Sequence, residues 1–416
     1  MLVTDPDEVV AIATRIAGAP LAVFDVEFVS QDRLVPSLCV VQVAWLPEHA
    51  SLDAPVEQIV ALEPEVRLLD ALATDVAPVV RALAGHPLVV AHAARQDLGL
   101  FAQRFGAALP GLVDTQLMAA FAGIGDQVGL AALAAEVLGV QLGKEQQWTD
   151  WQRRPLTDAQ LAYAVADVRH LHAIYARLAA RLGPRVAWVR EESRQVGADA
   201  TAAAAVTAET AWQQIGGARG LDSPAQTALV ALAAWRHRTA VDLDRPLGQV
   251  LADKVLLELA RYRPSNPGGI RAVKGMSPIA KSRADEIVRA LAEAKTALAE
   301  AKAVLVSEAD SEPAKPKRDW RAASARAQRW SEMLIAIVQL VADETGIAAR
   351  LLATRADAEE TARTVDTKGI EAARTLPAFS TWRRAVLGDV WEGWLAGRVA
   401  IVGDATASQG IRLDRR

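Results

Sequence analysis

A chain of 416 residues, 51% hydrophobic and 23% charged, is too long for one compact domain and predicts about two to four. Its single cysteine, Cys39, excludes a disulfide scaffold and any multi-cysteine zinc or iron–sulfur site; the acidic start (Asp5, Asp7, Glu8) and the lack of an apolar run of about 18 residues speak against secretion and membrane spanning, which leaves a reducing, cytoplasmic setting. The formal net charge of −4 divides unevenly, with 19 acids and 7 bases in residues 1–150 against 31 and 39 in the remainder, as suits cations held in one part and a polyanion gripped by the other, or two ordinary solvated surfaces.

Residues 20–183 read as α/β. Segments 21–29 and 38–45 are apolar and β-branched, and 66–69 and 88–91 are shorter apolar runs, which makes four strand candidates. Helical patterns run over 77–83, 98–105, 130–138 and 157–182, the last opened by Thr157 as N-cap with Asp158 in the first turn. Strands come early and helices late, so a mixed sheet flanked by helices is expected. From about residue 184 the strand signals cease. Leu229, Leu232, Ala233 and Arg236, then Val250, Leu251, Val255, Leu256 and Leu259, recur at helical spacing, and 222–295 reads as a bundle of short helices. Residues 307–319, with two prolines, mixed charge and no apolar residue beyond alanine, read as a flexible linker. Amphipathic helices resume at 330–340 and 382–395, and the two helical units could be distant duplicates.

Asp25 and Glu27 stand at i and i+2 of an otherwise apolar strand and therefore on one face. Two bare carboxylates there repel and lose hydration, which calls for a cation, most simply a divalent metal; the alternative is a strand end open to water. Asp97 falls in the first turn of a helix, after a strand and a loop holding His92, where it either faces the helix dipole or takes part in a site. His92 has no second histidine at ligand spacing and reads as a loop residue bonded to backbone. Tyr163 and Asp167, four apart, share a helix face: a solvated edge, or a place where the carboxylate holds metal and the phenol positions water.

The order Asp25-x-Glu27, Asp97, Tyr163-x-x-x-Asp167 resembles the tyrosine-bearing branch of the DEDD exonuclease superfamily. Lys144, Gln147, Thr149-Asp150-Trp151, Arg154-Pro155-Leu156-Thr157, Gln160, Tyr163-Ala164, Asp167-Val168 and Leu171 are similar to the ribonuclease D family, and Asp114-Thr115-Gln116 falls where that family has a similar segment. Trp148 departs from the small or polar residue expected there, and packs on a helix or stacks on a base. Leu232, Trp235-Arg236, Ala240, Asp244, Pro246, Val250-Leu251, Asp253, Leu256 and Leu259-Ala260 resemble the HRDC domain that follows the exonuclease in that family. No G-x-x-x-x-G-K-[ST] loop occurs, which excludes an ATP-driven motor.

The resemblance implies an RNase H-like α/β mixed-sheet exonuclease domain at 1–190, a connector at 191–221, an HRDC domain at 222–302, a flexible linker at 303–319 and an all-α domain at 320–416. The last, marked by Trp382-Arg383-Arg384 and Trp391-x-x-Trp394, is either a divergent second HRDC or a plain helix core. It further implies 3′-5′ phosphodiester hydrolysis with two divalent cations, Mg2+ or Mn2+. Asp25 would bridge both, Glu27 and Asp167 would complete the nucleophile side, Asp97 would support the leaving-group side, and Tyr163 would orient the water. The implied partner is RNA with a free 3′ end, such as a tRNA precursor; a DNA exonuclease on the same fold and a catalytically weak RNA-binding protein are the alternatives. Arg261, Arg263, Arg271, Lys274, Lys281, Arg283 and Arg289 could follow a phosphate backbone, with Asp285 and Glu286 among them allowing plain solvated faces instead. A chain ending near residue 220 is then expected to keep its site and cleave short single strands.

Overall fold

The computed structural model describes residues 2–143, 149–308, 324–407 and 410–415; Lys144, Gln147, Trp148 and residues 309–319 of the expected linker lie outside the described residues. Strand β1 (Leu2–Val3) and helix α1 (Pro6–Gly18) come first, the helix capped by Asp5 with a proline in its first turn. There follow β2 (Ala22–Val29), β3 (Ser37–Trp45), α2 (Val56–Val60), β4 (Glu65–Asp70), α3 (Ala77–Gly85), β5 (Val89–Ala91), α4 (Arg95–Phe105), β6 (Leu112–Asp114), α5 (Thr115–Phe121) and α6 (Leu130–Leu138). The four strand candidates fall on β2, β3, β4 and β5. Strands β1 and β6 were missed because two or three residues carry no alternation to read.

The six strands form one mixed sheet in the order β1-β4-β3-β2-β5-β6, with β3 antiparallel to β2 and β4 and the other pairs parallel. At the end of β2 the ladder slips: Glu27 pairs with Val40 and Phe28 with Leu38, so Cys39 is the extra residue of a bulge beside Glu27. The helix expected over 157–182 is two helices. In α7 (Asp158–Arg169) Thr157 and Gln160 form a capping box, and the chain turns at His170 into α8 (Leu171–Leu182). The break serves two surfaces: α7 crosses β2, β3 and β4, whereas α8 lies on α2, α5 and α6. Helix α9 (Val186–Ala204) then packs along α4 and β6.

The first helical unit comprises α10 (Ser223–Leu243), α11 (Leu247–Val250), α12 (Asp253–Tyr262), α13 (Pro267–Ala272), α14 (Pro278–Ser282) and α15 (Ala284–Glu308). Its HRDC-like residues are its core: Leu232, Ala240, Val250, Leu251, Leu256, Leu259 and Ala260 are fully buried, and the buried Arg236 guanidinium bonds the Leu251 carbonyl (2.9 Å) and Asp253 (2.6 Å). Helix α15 runs on to Glu308, past the expected linker start at 303.

The second unit holds α16 (Ala325–Thr345), α17 (Ala349–Leu352), α18 (Arg355–Lys368), α19 (Ile370–Ala373), α20 (Thr381–Arg383), a π-helical turn (Arg384–Gly388) and α21 (Asp389–Leu395). A hairpin of β7 (Val399–Gly403) and β8 (Ile411–Arg415) closes it. The hairpin corrects the expectation that strands end near 184; the alternation Ile411-Arg412-Leu413-Asp414 was its signal. The first three helices of the two units begin at 223, 247 and 253 and at 325, 349 and 355, a constant offset of 102. Each long helix ends on a left-handed residue, Asp244 (φ 47°) or Gly346 (φ 69°), and each four-residue helix on an extended one, Leu251 or Ala353.

The second unit shares its core with the sheet domain. Leu334, Ile337, Trp382 and Trp391 belong to the same buried cluster as Val23, Ala44, Phe121 and Val189. The Trp382 ring stacks on Trp188 at 5.6 Å and meets Phe121 edge-on at 4.9 Å. Its Nε1 donates to Glu192 (3.0 Å), whose carboxylate also takes both terminal nitrogens of Arg383 at 2.6 and 2.8 Å. A backbone bond from Ala348 N to the Ala120 carbonyl (2.9 Å) and the Arg350–Asp126 pair (2.8 Å) extend the seam. The first unit touches the sheet domain differently. Its Asp244 bonds Arg33 and the Leu34 amide, and Gln249 and Arg245 bond Asp32, all at the exposed β2–β3 loop, with Leu34 packed on the helical core.

Candidate active site

Alternation along β2 brings the Asp25 and Glu27 carboxylates to one face of the sheet, and α7, crossing that face, brings Asp167. One oxygen from each of these three lies within 4.8 Å of the others. Tyr163, one turn before Asp167, packs beside Trp151 with ring centroids 6.2 Å apart, and its phenol is near enough to act on the Asp167 carboxyl. Asp97 stands outside the tight set, yet its charge acts on Glu27 and is acted on by Asp25. It does not cap α4, whose N-terminus has no side-chain cap. A cavity of about 390 Å³, lined by Asp25, His92, Gln116, Tyr163, Asp167 and Leu171, opens onto the group.

Burial is the leading cause at every acid here. It lifts the Asp25 carboxyl to about 6. Burial, and then the charges of Asp25, Asp167 and Asp97, lift Glu27 to about 9. Asp167 rises to about 8 through burial and Asp25, against the hydrogen bond from Tyr163, and Asp97 is pushed well above the carboxylate range by burial, Asp25 and Asp114. The Tyr163 phenol is pushed up as well, by burial and by the surrounding carboxylates. A crowded, desolvated all-oxygen donor set of this kind is relieved by a hard divalent cation, so the residues present fit one.

Other residues hold the site in place; Asp114 and Arg154 were named in the sequence only as part of the family resemblance, without a role. Asp114 accepts from the backbone N–H groups of Ala93 (2.9 Å), Ala94 (3.1 Å) and Gln116 (2.8 Å), fixing the turn that launches α4 and Asp97; Ala93 sits there at φ 55°. The signal was an N-cap aspartate after a short apolar run. Arg154 grips Asp70 at 2.6 and 2.7 Å and the Cys39 carbonyl at 3.0 Å, binding the 151–157 segment to the bulge beside Glu27. His92 places Nδ1 2.9 Å from the Thr115 hydroxyl, a side-chain partner where a backbone one was expected. None of the basic residues of the first unit lines this cavity. Arg261, Arg263, Arg271, Lys274, Lys281 and Arg289 are exposed, Arg271 pairing with Asp285 at 3.8 Å, whereas Arg283 is half-buried and paired with Glu286 at 3.1 Å.

Residues 1–183 match the 3′-5′ exonuclease family and residues 225–291 the HRDC domain. Fold and site together define the class, a 3′-5′ exonuclease carrying an HRDC domain. Ribonuclease D of Acidiphilium cryptum is 33% identical over 425 aligned residues, spanning 100% of this chain and 96% of that protein, and ribonuclease D of Gluconacetobacter diazotrophicus is 31% identical over 99% and 96%. The crystal structure of Escherichia coli RNase D, an exoribonuclease involved in structured RNA processing, shares the fold with a TM-score of 0.75 at 24% identity, over 95% of this chain and 98% of that one. The chain belongs to the ribonuclease D family, and its activity is that of a 3′-5′ exoribonuclease. The exonuclease fold implies use of a divalent metal, and among the described residues no helix is long and apolar enough to cross a membrane.

Proposed function

We propose that this exoribonuclease trims the 3′ ends of structured RNAs, tRNA precursors among them, with Mg2+ or Mn2+ bound by Asp25, Glu27, Asp97 and Asp167. The observation that carries the reading is the convergence of Asp25, Glu27 and Asp167 within 4.8 Å, with Tyr163 against Asp167. When bound, a divalent pair supplies an activated water and takes up charge on the departing oxygen. The chain's own part is to exclude bulk water, to hold four acids that are protonated in part when no cation is present, and to release those protons on loading. Tyr163, one turn from Asp167 on α7, orients the attacking water by its hydroxyl. The exposed bases Arg261, Arg263, Arg271, Lys274, Lys281 and Arg289 follow the RNA backbone, Arg283 contributing less because Glu286 holds it.

In this reading residues 1–190 are the nuclease, 191–221 a connector, 222–302 the HRDC domain, 303–319 a linker entered by α15, and 320–416 a divergent second HRDC. The constant spacing of the first three helices supports the last assignment. The lone, buried Cys39 suits a reducing cytoplasm. The test is incubation of the purified protein with a 3′-extended tRNA precursor and a matched single-stranded DNA, with Mg2+, with Mn2+ and with chelator. Stepwise shortening of the RNA from a free 3′-hydroxyl, abolished by chelator, is expected; internal cuts, activity in chelator, or preference for the DNA would reject the proposal.

A further inference from the structure

Gln42 is fully buried, and neither its Nε2 nor its Oε1 has a hydrogen-bond partner. Its position is central: on β3 it pairs directly with Asp25 of β2 on one side and with Leu68 of β4 on the other. Residues directly opposite one another on antiparallel strands project to the same face with Cβ atoms about 5 Å apart. The Gln42 side chain therefore shares the face of Asp25, under α7, the helix that crosses β2, β3 and β4 and delivers Asp167. Apolar neighbours surround it on that face. Val40, Ala44 and Leu68 are buried there, and a leucine or methionine would fill the same space without stranding an amide.

A buried carboxamide with idle donors, one strand away from a carboxylate that a cation would hold ionised, has an evident use. We propose that Gln42 is a positioning residue for Asp25: with a divalent cation bound, its Nε2–H donates to the Asp25 carboxylate and fixes the rotamer in which Asp25 meets the cation. The inference rests on the metal-dependent reading above. A merely structural glutamine would have its partners already, in the cation-free protein. Donors standing behind a metal ligand commonly contribute about 10- to 100-fold in metal affinity.

The test compares wild type with Gln42→Met, which keeps the volume and removes the donors. Expected are a cation-free melting temperature equal to or above wild type, Mn2+ binding weakened at least about 10-fold by calorimetry, and a lowered kcat with unchanged KM for RNA. In an Asp25→Asn background, Gln42→Met should cause no further loss of Mn2+ affinity. Should Gln42→Met fail to fold, the wild type carries the test: the 15N-labelled Gln42 side-chain amide should shift and gain exchange protection on Mg2+ saturation. Wild-type Mn2+ affinity in a folded Gln42→Met protein, a fall of several degrees in its cation-free melting temperature, or an amide signal indifferent to Mg2+ would overturn the inference. Failure of the wild type itself to bind Mn2+ would overturn the metal-dependent reading, and this inference with it.

Discussion

Glu27 shows at the scale of one residue how the site trades stability for chemistry. Its carboxyl is held up to about 9 by burial and by three neighbouring acids, so its anion is unwelcome until a cation arrives. Asp25→Asn, Glu27→Gln and Asp167→Asn should each lower turnover about 100-fold or more while raising the cation-free melting temperature, because each removes like charge from a buried cluster. Asp97→Asn should lower turnover as well; near wild-type trimming would leave Asp97 as an acid that merely faces the α4 dipole. The sign with pH follows from the same shifts. Carboxyls raised in the folded chain bind more protons folded than unfolded, so their contribution is fully present below the unfolded value near 4 and is lost as pH climbs through about 6 for Asp25, 8 for Asp167 and 9 for Glu27. Calorimetry of the cation-free protein should show the melting temperature falling between pH 5 and 9, with saturating Mn2+ restoring it; a flat or rising profile would contradict the assignment.

Among the elements, α4 packs on α9 but has the turn before it fixed by a side chain far along the chain. Nothing in its own sequence caps it, and the turn that leads into it is held by Asp114, which also caps α5. Asp114→Ala strands three backbone N–H groups at Ala93, Ala94 and Gln116, and should cost about 1–3 kcal/mol. Turnover should fall with it, since Asp97 rides on that turn, while RNA affinity stays near wild type. Asp114→Asn, which keeps one acceptor oxygen, should recover part of both; equal loss in the two variants would show that charge and not hydrogen bonding is at work. Helix α7 makes the opposite case. Its Thr157 N-cap and its Tyr163-to-Asp167 spacing were legible in the sequence, because both are settled within one or two turns; the reciprocal bond from Gln160 that completes the capping box was seen only in the structure.

Across the whole molecule the two helical units are joined to the nuclease by different physics. The second is fused to it through Trp382, Trp188, Phe121 and the Glu192–Arg383 pair, in which the side chains are 11% and 20% exposed. Trp382→Ala should therefore destabilise by about 3–5 kcal/mol. Arg383→Met, which leaves the Glu192 carboxylate without its ionic partner, should cost a similar amount, both measured by calorimetry or urea unfolding. The same interface bears on the expectation that a chain ending near residue 220 keeps a working site: such a chain exposes Phe121 and Trp188 to water and should be less stable, which urea unfolding of the truncated chain would show. The first unit is held at the β2–β3 loop by exposed ion pairs, each worth about 0–1 kcal/mol and screened by salt. Raising salt should speed hydrogen exchange at 30–36 and 244–249 and leave 120–126 unchanged.

The sequence by itself determined what short-range physics settles. Alternation along β2 put Asp25 and Glu27 on one face, the Thr157 N-cap opened α7, helical spacing marked the core of α10 to α12, and the motif order carried the family. Only the tertiary structure decided which surfaces those elements bury. The bulge at Cys39, the break at His170 that lets α7 and α8 serve different neighbours, the Asp114 hold on α4, and the docking of Trp382 onto residues about 190 positions earlier all depend on partners far along the chain. An amphipathic stretch such as 382–395 reads the same whether its apolar face closes its own bundle or another domain. The free energy that chooses between them is the burial of Phe121 and Trp188, and that is a property of the assembled surfaces, outside any local window of sequence.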